Sequence, residues 1–472
     1  SSISAGGKSI PTRPRALRPS MVGASTSAPA ALGEWTKHYR GPPGPASAAG
    51  IGQPTGAAEV CAAPPTSAQG TMIRSAITLT QTIVGAGILC LPHALQEGGH
   101  GIGIMSLMAT CAFSLLGFLA IGHVCHVTGA KSYRDAWALT VGTSPTFVDV
   151  ALSLECVITC LGYVILIVDY FRVALEGTLG PQVLVLGRSG LATIICVFVL
   201  LPLSLQPRLA NLWISSLIGN VAVLNMLLFV TFDATMEGLG GRLDFAEEAT
   251  FVGTSTTGFL RAMNVMTSAY ASHYVAPDIM SELTDHPKPW RGFAGVTIVS
   301  FVTALTAYLI FAIAGAARFG ANVRGNVLIN YESSNAVLFA WVMMACCLMM
   351  SFPLVLTPAR DTIMEKLGIT QSPANAHGHG MPPPNVNWLV ATTALVVVTT
   401  AFGAAFTNIS RVLAFRGALL GTLICNVIPG IILLNCKVPM SFGTAHSRIA
   451  AMMLIVFGIA SGILGVFCAL VA

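Results

Sequence analysis

From Thr71 onward the chain is a succession of apolar runs of about 17–25 residues, each long enough to cross the roughly 30 Å hydrocarbon core of a bilayer as one helix. In lipid every backbone N–H and C=O must find its partner inside the protein, so only helices or a closed barrel can span it. The runs are continuous where barrel strands would alternate, which excludes the barrel. Spans are expected at 73–96, 102–126, 146–171, 189–206, 211–232, 256–280, 293–318, 335–358, 387–407, 411–434 and 447–471, to within about four residues. The first run is one of many, so a lone signal anchor is excluded as well. The expected fold class is all-α integral membrane with about eleven transmembrane helices. Composition agrees, since 54% of the 472 residues are hydrophobic and 9% are charged, where a soluble domain carries about 25% charge.

The formal net charge of +5 looks like a nucleic-acid signal until its residues are placed, mostly in the N-terminal segment and between apolar runs. They read as topology, and no nucleic-acid partner is expected. Residues 1–70 are rich in Ser, Ala, Gly and Pro, with Lys8, Arg13, Arg15, Arg18, Lys37 and Arg40 against Glu34 and Glu59. Such a segment cannot bury enough apolar area to fold, so a disordered cytosolic tail is expected ahead of a transmembrane domain at 71–472. The Arg- and Ser-rich, acid-poor start also suits an organelle transit peptide, and a first residue other than Met fits a trimmed or incomplete terminus. A cytosolic tail gives that side Lys131, Arg134, Arg208, Lys288, Arg291, Arg360, Lys366, Lys437 and Arg448. The opposite side receives Arg172, Arg188, Arg242, Arg318 and Arg324, while Arg411 and Arg416 are assigned to neither. The N-terminus is therefore expected inside and the C-terminus outside. Most of the twelve cysteines lie within or beside apolar runs, where thiols act as small hydrophobes, and no disulfide framework is implied.

The first span is interrupted, reading Thr80-Gln81-Thr82-Ile83-Val84-Gly85-Ala86-Gly87-Ile88-Leu89-Cys90-Leu91-Pro92. Inside a bilayer an unwound stretch persists only where its free amides and carbonyls are buried in protein or line a cavity. Transporters place such breaks at substrate and ion sites. Gly85 and Gly87 would equally serve a close packing surface between helices. A second break five helices later would signal an inverted repeat, and the sixth span carries one at Thr267-Ser268-Ala269-Tyr270-Ala271-Ser272-His273-Tyr274-Val275-Ala276-Pro277. His273 is either a packing histidine or a site residue.

Gly85 to Leu89 followed by Leu91-Pro92, with Lys131-Ser132-Tyr133-Arg134-Asp135 after the second span, resembles the amino acid/auxin permease family, particularly its neutral amino acid transporter branch. Leu201 to Leu205, His273 with Pro277 and Glu282-Leu283, Pro353 with Pro358-Ala359-Arg360, and Phe402-Gly403-Ala404 leading to Pro429 follow in the same order and spacing. The resemblance implies the leucine-transporter fold, with two inverted five-helix repeats and one extra helix. It implies that a substrate carboxylate meets the amides of Gly85, Ala86 and Gly87, and its ammonium the carbonyls of Thr82, Ser268 and Ala271. Tyr163 and Tyr270 are candidates for the pocket walls, with interior packing as the alternative.

Sodium-coupled relatives hold the ion with first-span carbonyls, here Gln81 and Val84, with an Asn side chain and an eighth-span hydroxyl. This chain carries Gln81 where the Asn is expected and offers Ser351 as the hydroxyl, which leaves sodium coupling, proton coupling and uniport open. Charged groups within spans are expensive, so Glu155 and Arg261 call for an explanation: an ion pair between them, or a proton relay at Glu155. Asp169 and Arg172 are expected to snorkel or gate at the outer end of the third span. At the inner end Glu282, Asp285 and Arg360 are candidates for salt bridges that open and close.

Asn408-Ile409-Ser410 matches a glycosylation acceptor but sits too close to the bilayer for easy modification. His377 and His379 lack further ligands for a metal site, so no metal is expected, and no cofactor beyond a coupling Na+ or H+. The expected function is secondary active transport of small or neutral amino acids by alternating access, without covalent chemistry. A non-transporting amino acid sensor or a structural membrane subunit is the alternative. The expected partners are an amino acid and the lipid bilayer, with the chain a monomer or part of a larger membrane assembly. Plasma, vacuolar or lysosomal, and organelle membranes all remain open.

Overall fold

The computed structural model describes residues 68–180, 185–206, 212–239, 255–369, 386–440 and 443–471. The histidine-bearing loop at 377–379, and the N-terminal segment ahead of residue 68, lie outside them. Among the described residues ten helical runs are long and apolar enough to cross a membrane, from Gln69–Gly98 through Thr444–Cys468. The eleventh expected span, the sixth in order, is present as two short pieces. Its halves have 14 and 7 residues, too few for either to cross alone.

The first span is α1 (Ala68–Ile83), a 3₁₀ segment (Ala86–Cys90) and α2 (Leu91–Gly98). Pro92 sits in the first turn of α2, where its missing N–H removes no helical hydrogen bond. The second span is α3 (His100–Thr128). A connecting helix α4 (Tyr133–Val141) begins at Ser132, whose hydroxyl accepts from the Asp135 amide, so Lys131 to Asp135 reads as a helix start. The third span is α5 (Thr146–Leu179), and the fourth is α6 (Gly187–Ile195) running through a π turn into α7 (Leu201–Ser204). Then come α8 (Leu212–Leu239), the broken pair α9 (Thr256–Ala269) and α10 (Ala276–Glu282), α11 (Pro289–Phe319), α12 (Asn335–Lys366) and α13 (Val386–Ala405). The tenth span is α14 (Ile409–Arg416), two π turns and α15 (Ile428–Asn435), and α16 (Thr444–Val471) is the last.

Contacts sort these helices around the breaks. The pieces α1, α2 and α9 pack on one another's neighbours α3, α8 and α11, while α5 lies along α12 and α13. The tenth span bridges the sets, its α14 against α9 and α5 and its α15 against α3. Small residues allow the closest approaches, because lipid offers helices no hydrophobic drive and van der Waals fit must hold them together. A Cβ on Gly417 would lie 1.8 Å from the Asn264 carbonyl oxygen, and one on Gly117 would lie 2.0 Å from that of Cys425. The π turns free carbonyls of the tenth span, and Tyr133 donates its hydroxyl to one of them, Ile424, at 2.6 Å.

Every cysteine among the described residues is free. Asn408 caps α14 by accepting from the Arg411 amide, and Ser410 is buried, so the glycosylation tripeptide is folded into a helix start. Gly117→Ala should sharply lower the thermal unfolding midpoint of the detergent-purified protein. Gly295→Ala should not, because its Cβ would meet nothing nearer than the Met72 methyl at 3.8 Å. Equal melting of the two variants would contradict the close α3 contact.

Candidate functional site

The two breaks meet inside the protein. Helix α1 ends at Ile83, Gly85 is extended (φ −86°, ψ −151°), and its amide turns back to the Ile83 carbonyl at 2.9 Å. The amides of Ala86 and Gly87 have no acceptor among the described residues. At the sixth span, α9 ends at Ala269 and the backbone of Tyr270, Ala271 and Ser272 is unwound before a 3₁₀ turn, His273–Val275. The carbonyls of Thr82 and Ala271 have no donor among the described residues, whereas that of Ser268 accepts from the Ala271 amide at 3.2 Å. Gly87 fits because a Cβ there would stand 3.0 Å from the Ala269 Cα, so one glycine sets the distance between the two breaks.

Tyr308 on α11 ties the breaks together. Its hydroxyl lies 2.6 Å from the Ile83 carbonyl and 2.8 Å from the Ala269 carbonyl, the last residues of α1 and α9. One hydroxyl proton is thus shared between two helix ends that lipid would leave unsatisfied.

A cavity of about 860 Å³ starts at the first break, where Gln81, Thr82, Gly85 and Ala86 line it. It widens past Tyr163, Tyr274 and Ser351 toward Arg74, Arg134, Glu282 and Glu365. All four of those charged residues belong to the face on which α1 begins, so the cavity opens on that face. A chamber of about 30 Å³ adjoins it, bounded by Gly85, Ala86, Gly87, Ser268, Ala271 and Arg416. Thr82, Gly85, Ala86, Tyr163 and Tyr274 line both spaces.

Of the residues singled out in the sequence, Thr82, Gly85, Ala86, Gly87, Tyr163, Ser268 and Ala271 come together around the cavity and chamber. Tyr270 does not line either: its ring is fully buried, stacked on Phe301 and edge-on to Tyr308. His273 is also fully buried, with Nε2 2.9 Å from the Ser114 carbonyl and its ring edge-on to Phe118, which places it in the packing between α3 and the second break. Gln81 and Ser351 share one cavity wall, with Cys347 between them. Gln81 Nε2 reaches Cys347 Sγ at 3.5 Å, its Oε1 is buried without a partner, and Gly219 of α8 leaves it room. Val84 is buried in the core rather than exposed to the cavity.

The charged residues pair differently from expectation. Glu155 does not meet Arg261, which instead donates to Glu97 at 3.0 Å. Glu155 accepts from Arg416, from Nε at 2.8 Å and Nη2 at 2.5 Å, and Arg416 Nη1 donates to Ser268 Oγ at 3.0 Å. Glu282 accepts from Ser75 at 2.5 Å and Arg360 pairs with Asp361 at 3.0 Å, so those two do not pair with each other. The ion pairs of the open face are Arg134 with Glu365 at 2.6 Å and Lys366 with the buried Asp149 at 3.0 Å. On the opposite face Arg188 pairs with Asp169, Arg172 with Glu176, and Arg318 with Asp233. Arg416, Tyr274 and Tyr308 are the site residues that sequence reasoning passed over. The available signal for Arg416 was an arginine inside the tenth apolar run with a buried-span glutamate left to match.

Replacing Tyr308 with Phe should destabilise the folded protein by about 1–3 kcal/mol, because two buried carbonyls lose their shared donor. An unchanged unfolding midpoint in detergent would show that the hydroxyl carries no such role.

Comparison with known proteins agrees with this architecture. The family described as transmembrane amino acid transporter protein matches residues 68–471. Vacuolar amino acid transporter 5 of Schizosaccharomyces pombe is 24% identical over 361 residues, covering 75% of this chain and 82% of that protein. A putative sodium-coupled neutral amino acid transporter 11 of Danio rerio is 24% identical, covering 72% and 73% of the two chains. Among solved structures, a nucleobase-cation-symport-1 family transporter in a closed conformation with bromovinylhydantoin bound superposes with a TM-score of 0.52. It is 11% identical, over 85% of this chain and 90% of that one, a likeness of fold. The chain is a multi-pass membrane protein that belongs to the transmembrane amino acid transporter family.

Proposed function

We propose that the protein is a secondary active carrier of small or neutral amino acids, driven by a proton or sodium gradient and working by alternating access. The observation that carries this reading is the cavity of about 860 Å³ that runs from two facing helix breaks to one face of the molecule. Free amides at Ala86 and Gly87 suit a carboxylate, and free carbonyls at Thr82 and Ala271 suit an ammonium, so the breaks offer both halves of an amino acid zwitterion a partner. The backbone reads what all amino acids share. Selectivity then falls to the side chains around the cavity, where Tyr163, Tyr274 and Cys347 form a mixed aromatic and thiol wall, and where the Arg416 charge at the adjoining chamber is paired with Glu155. That wall favours an uncharged side chain.

With the tail cytosolic, the open face is the cytosolic one, and the state described is inward-open. The family relatives named as vacuolar transporters support residence in a vacuolar or lysosomal membrane, and the one named as sodium-coupled and neutral supports the substrate class. Closing the open face requires Arg74, Arg134, Glu282 and Glu365 to approach across the cavity mouth.

Uptake of a labelled neutral amino acid mixture into liposomes carrying the purified protein, with sodium and proton gradients imposed separately, tests the reading. Accumulation that follows one gradient is expected. Binding without accumulation would identify a sensor instead. Gly87→Val should abolish amino acid binding while the protein still inserts and migrates as a single species, because its methyls would push Ala269 and the second break away. Unchanged uptake by that variant would remove the breaks as the binding site.

A further inference from the structure

One buried charge pair is left unused by the reading above, and it stands at the chamber. Glu155 is 1% exposed and Arg416 is 7% exposed, both within spans. Charges so placed are tolerated when every polar atom is matched, and this pair is incompletely matched. Both bonds from the guanidinium to Glu155 end on Oε1, while Oε2 is buried with no hydrogen-bond partner. With the bond to Ser268, three of the five guanidinium N–H groups are engaged.

The chamber that Arg416 helps to bound is also lined by Ala86 and Gly87, whose amides are unmatched. Its volume of about 30 Å³ exceeds the ~10–15 Å³ that a water requires. It is of carboxylate size, bounded by the Arg416 guanidinium, and continuous with the larger cavity through five shared lining residues. A planar guanidinium is the side chain best matched to a carboxylate, which it can hold through two parallel bonds.

We propose that Arg416 receives the carboxylate of the transported amino acid in this chamber, and that Glu155, displaced from the guanidinium, takes up a proton, so that substrate and proton are carried together. The inference rests on the reading that the breaks hold an amino acid. Charge bookkeeping follows directly. The empty site is neutral, with one guanidinium and one carboxylate. A bound zwitterion sets its carboxylate on Arg416 and its ammonium on the carbonyls of Thr82 and Ala271. Glu155 then stands as a buried anion without a cation. An O–H bond formed on Glu155 by a proton from solution removes that unpaired anion and leaves the loaded site one positive charge above the empty one, and no other covalent bond forms or breaks. Each cycle therefore moves one zwitterion, one proton and one net positive charge.

The other titratable groups close to the pair are Tyr163, Cys156 and Cys160 on α5, Tyr274 at the second break, Tyr308 on α11 and Cys425 in the tenth span. None is a carboxylate or a cation, so among the described residues Glu155 is the acid placed to compensate. Linkage fixes the sign: if binding takes up a proton, lower pH tightens binding, by as much as tenfold per pH unit.

The test uses the full-length protein and an equimolar mixture of L-alanine, L-serine, L-leucine and L-glutamine. Titration calorimetry in buffers of different ionisation enthalpy reads protons per bound amino acid, and close to one taken up near neutral pH is expected. In liposomes, Glu155→Gln should lower proton-driven accumulation at least tenfold relative to counterflow exchange measured on the same preparation. Arg416→Lys should weaken binding at least tenfold, since a point charge replaces the fork. Wild-type binding without proton uptake at any pH from 5 to 8 would overturn the inference, and needs no variant to fold. So would a Glu155→Gln protein whose ratio of accumulation to exchange matches the wild type. Absence of both binding and counterflow in the wild type would instead overturn the transport reading, and this inference with it.

Discussion

A single buried phenol stands where two helix ends leave backbone carbonyls unsatisfied. Breaking two transmembrane helices frees carbonyls and amides that hydrocarbon cannot satisfy, each at a cost of several kcal/mol. Tyr308 answers for the carbonyl ends of α1 and α9 together, and its ring is held by the buried Tyr270, itself stacked on Phe301. The breaks are thereby fixed to α11 and to each other. The amides of Ala86 and Gly87 and the carbonyls of Thr82 and Ala271 stay unmatched among the described residues, and these residues lie around the chamber and cavity. Binding capacity at the breaks rests on these unmatched backbone groups.

The same economy governs the two faces. On the face away from the cavity, Arg188, Arg172 and Arg318 are each tied to a carboxylate; the first pair joins α6 to α5, the second lies within α5, and the third joins α11 to α8. On the open face the pairs are more exposed: the Glu365 carboxylate is 57% exposed beside Arg134, and Asp361 is 60% exposed beside Arg360. Exposed ion pairs contribute little to stability, so they can be exchanged at small cost. The buried Asp149, at the start of α5 and contacted by Arg134 and Lys366, is the firm member of that group.

The spans, both breaks and the ordered family motifs were legible because they depend on local features, hydrophobic length and Gly or Pro placement. Seven of the nine expected substrate residues line one connected space for the same reason, since each lies on or beside a break. Tyr270 and His273 escape that logic. An unwound backbone gives no 3.6-residue period from which to read side-chain direction, and both rings turn into the packing with α3 and α11. The charge pairs were the least legible. Glu155 and Arg416 are 261 positions apart, and Arg261 was an equally plausible partner by depth. Choosing between them required knowing that α14, not α9, presents its basic residue to α5.

That choice of partner alters what the third span contributes. A Glu155–Arg261 pair would have been a strut between two helices. The Glu155–Arg416 pair is instead joined through Ser268 to the second break and bounds the chamber beside the first. Three spans and both breaks therefore share one buried guanidinium. Through Glu155, Ser268 and its own helix, this guanidinium joins α5, α9 and α14. The helices that meet at this group are coupled through its hydrogen bonds, because among the described residues its other titratable neighbours, Tyr163 and Tyr274, are neutral groups of weaker attraction.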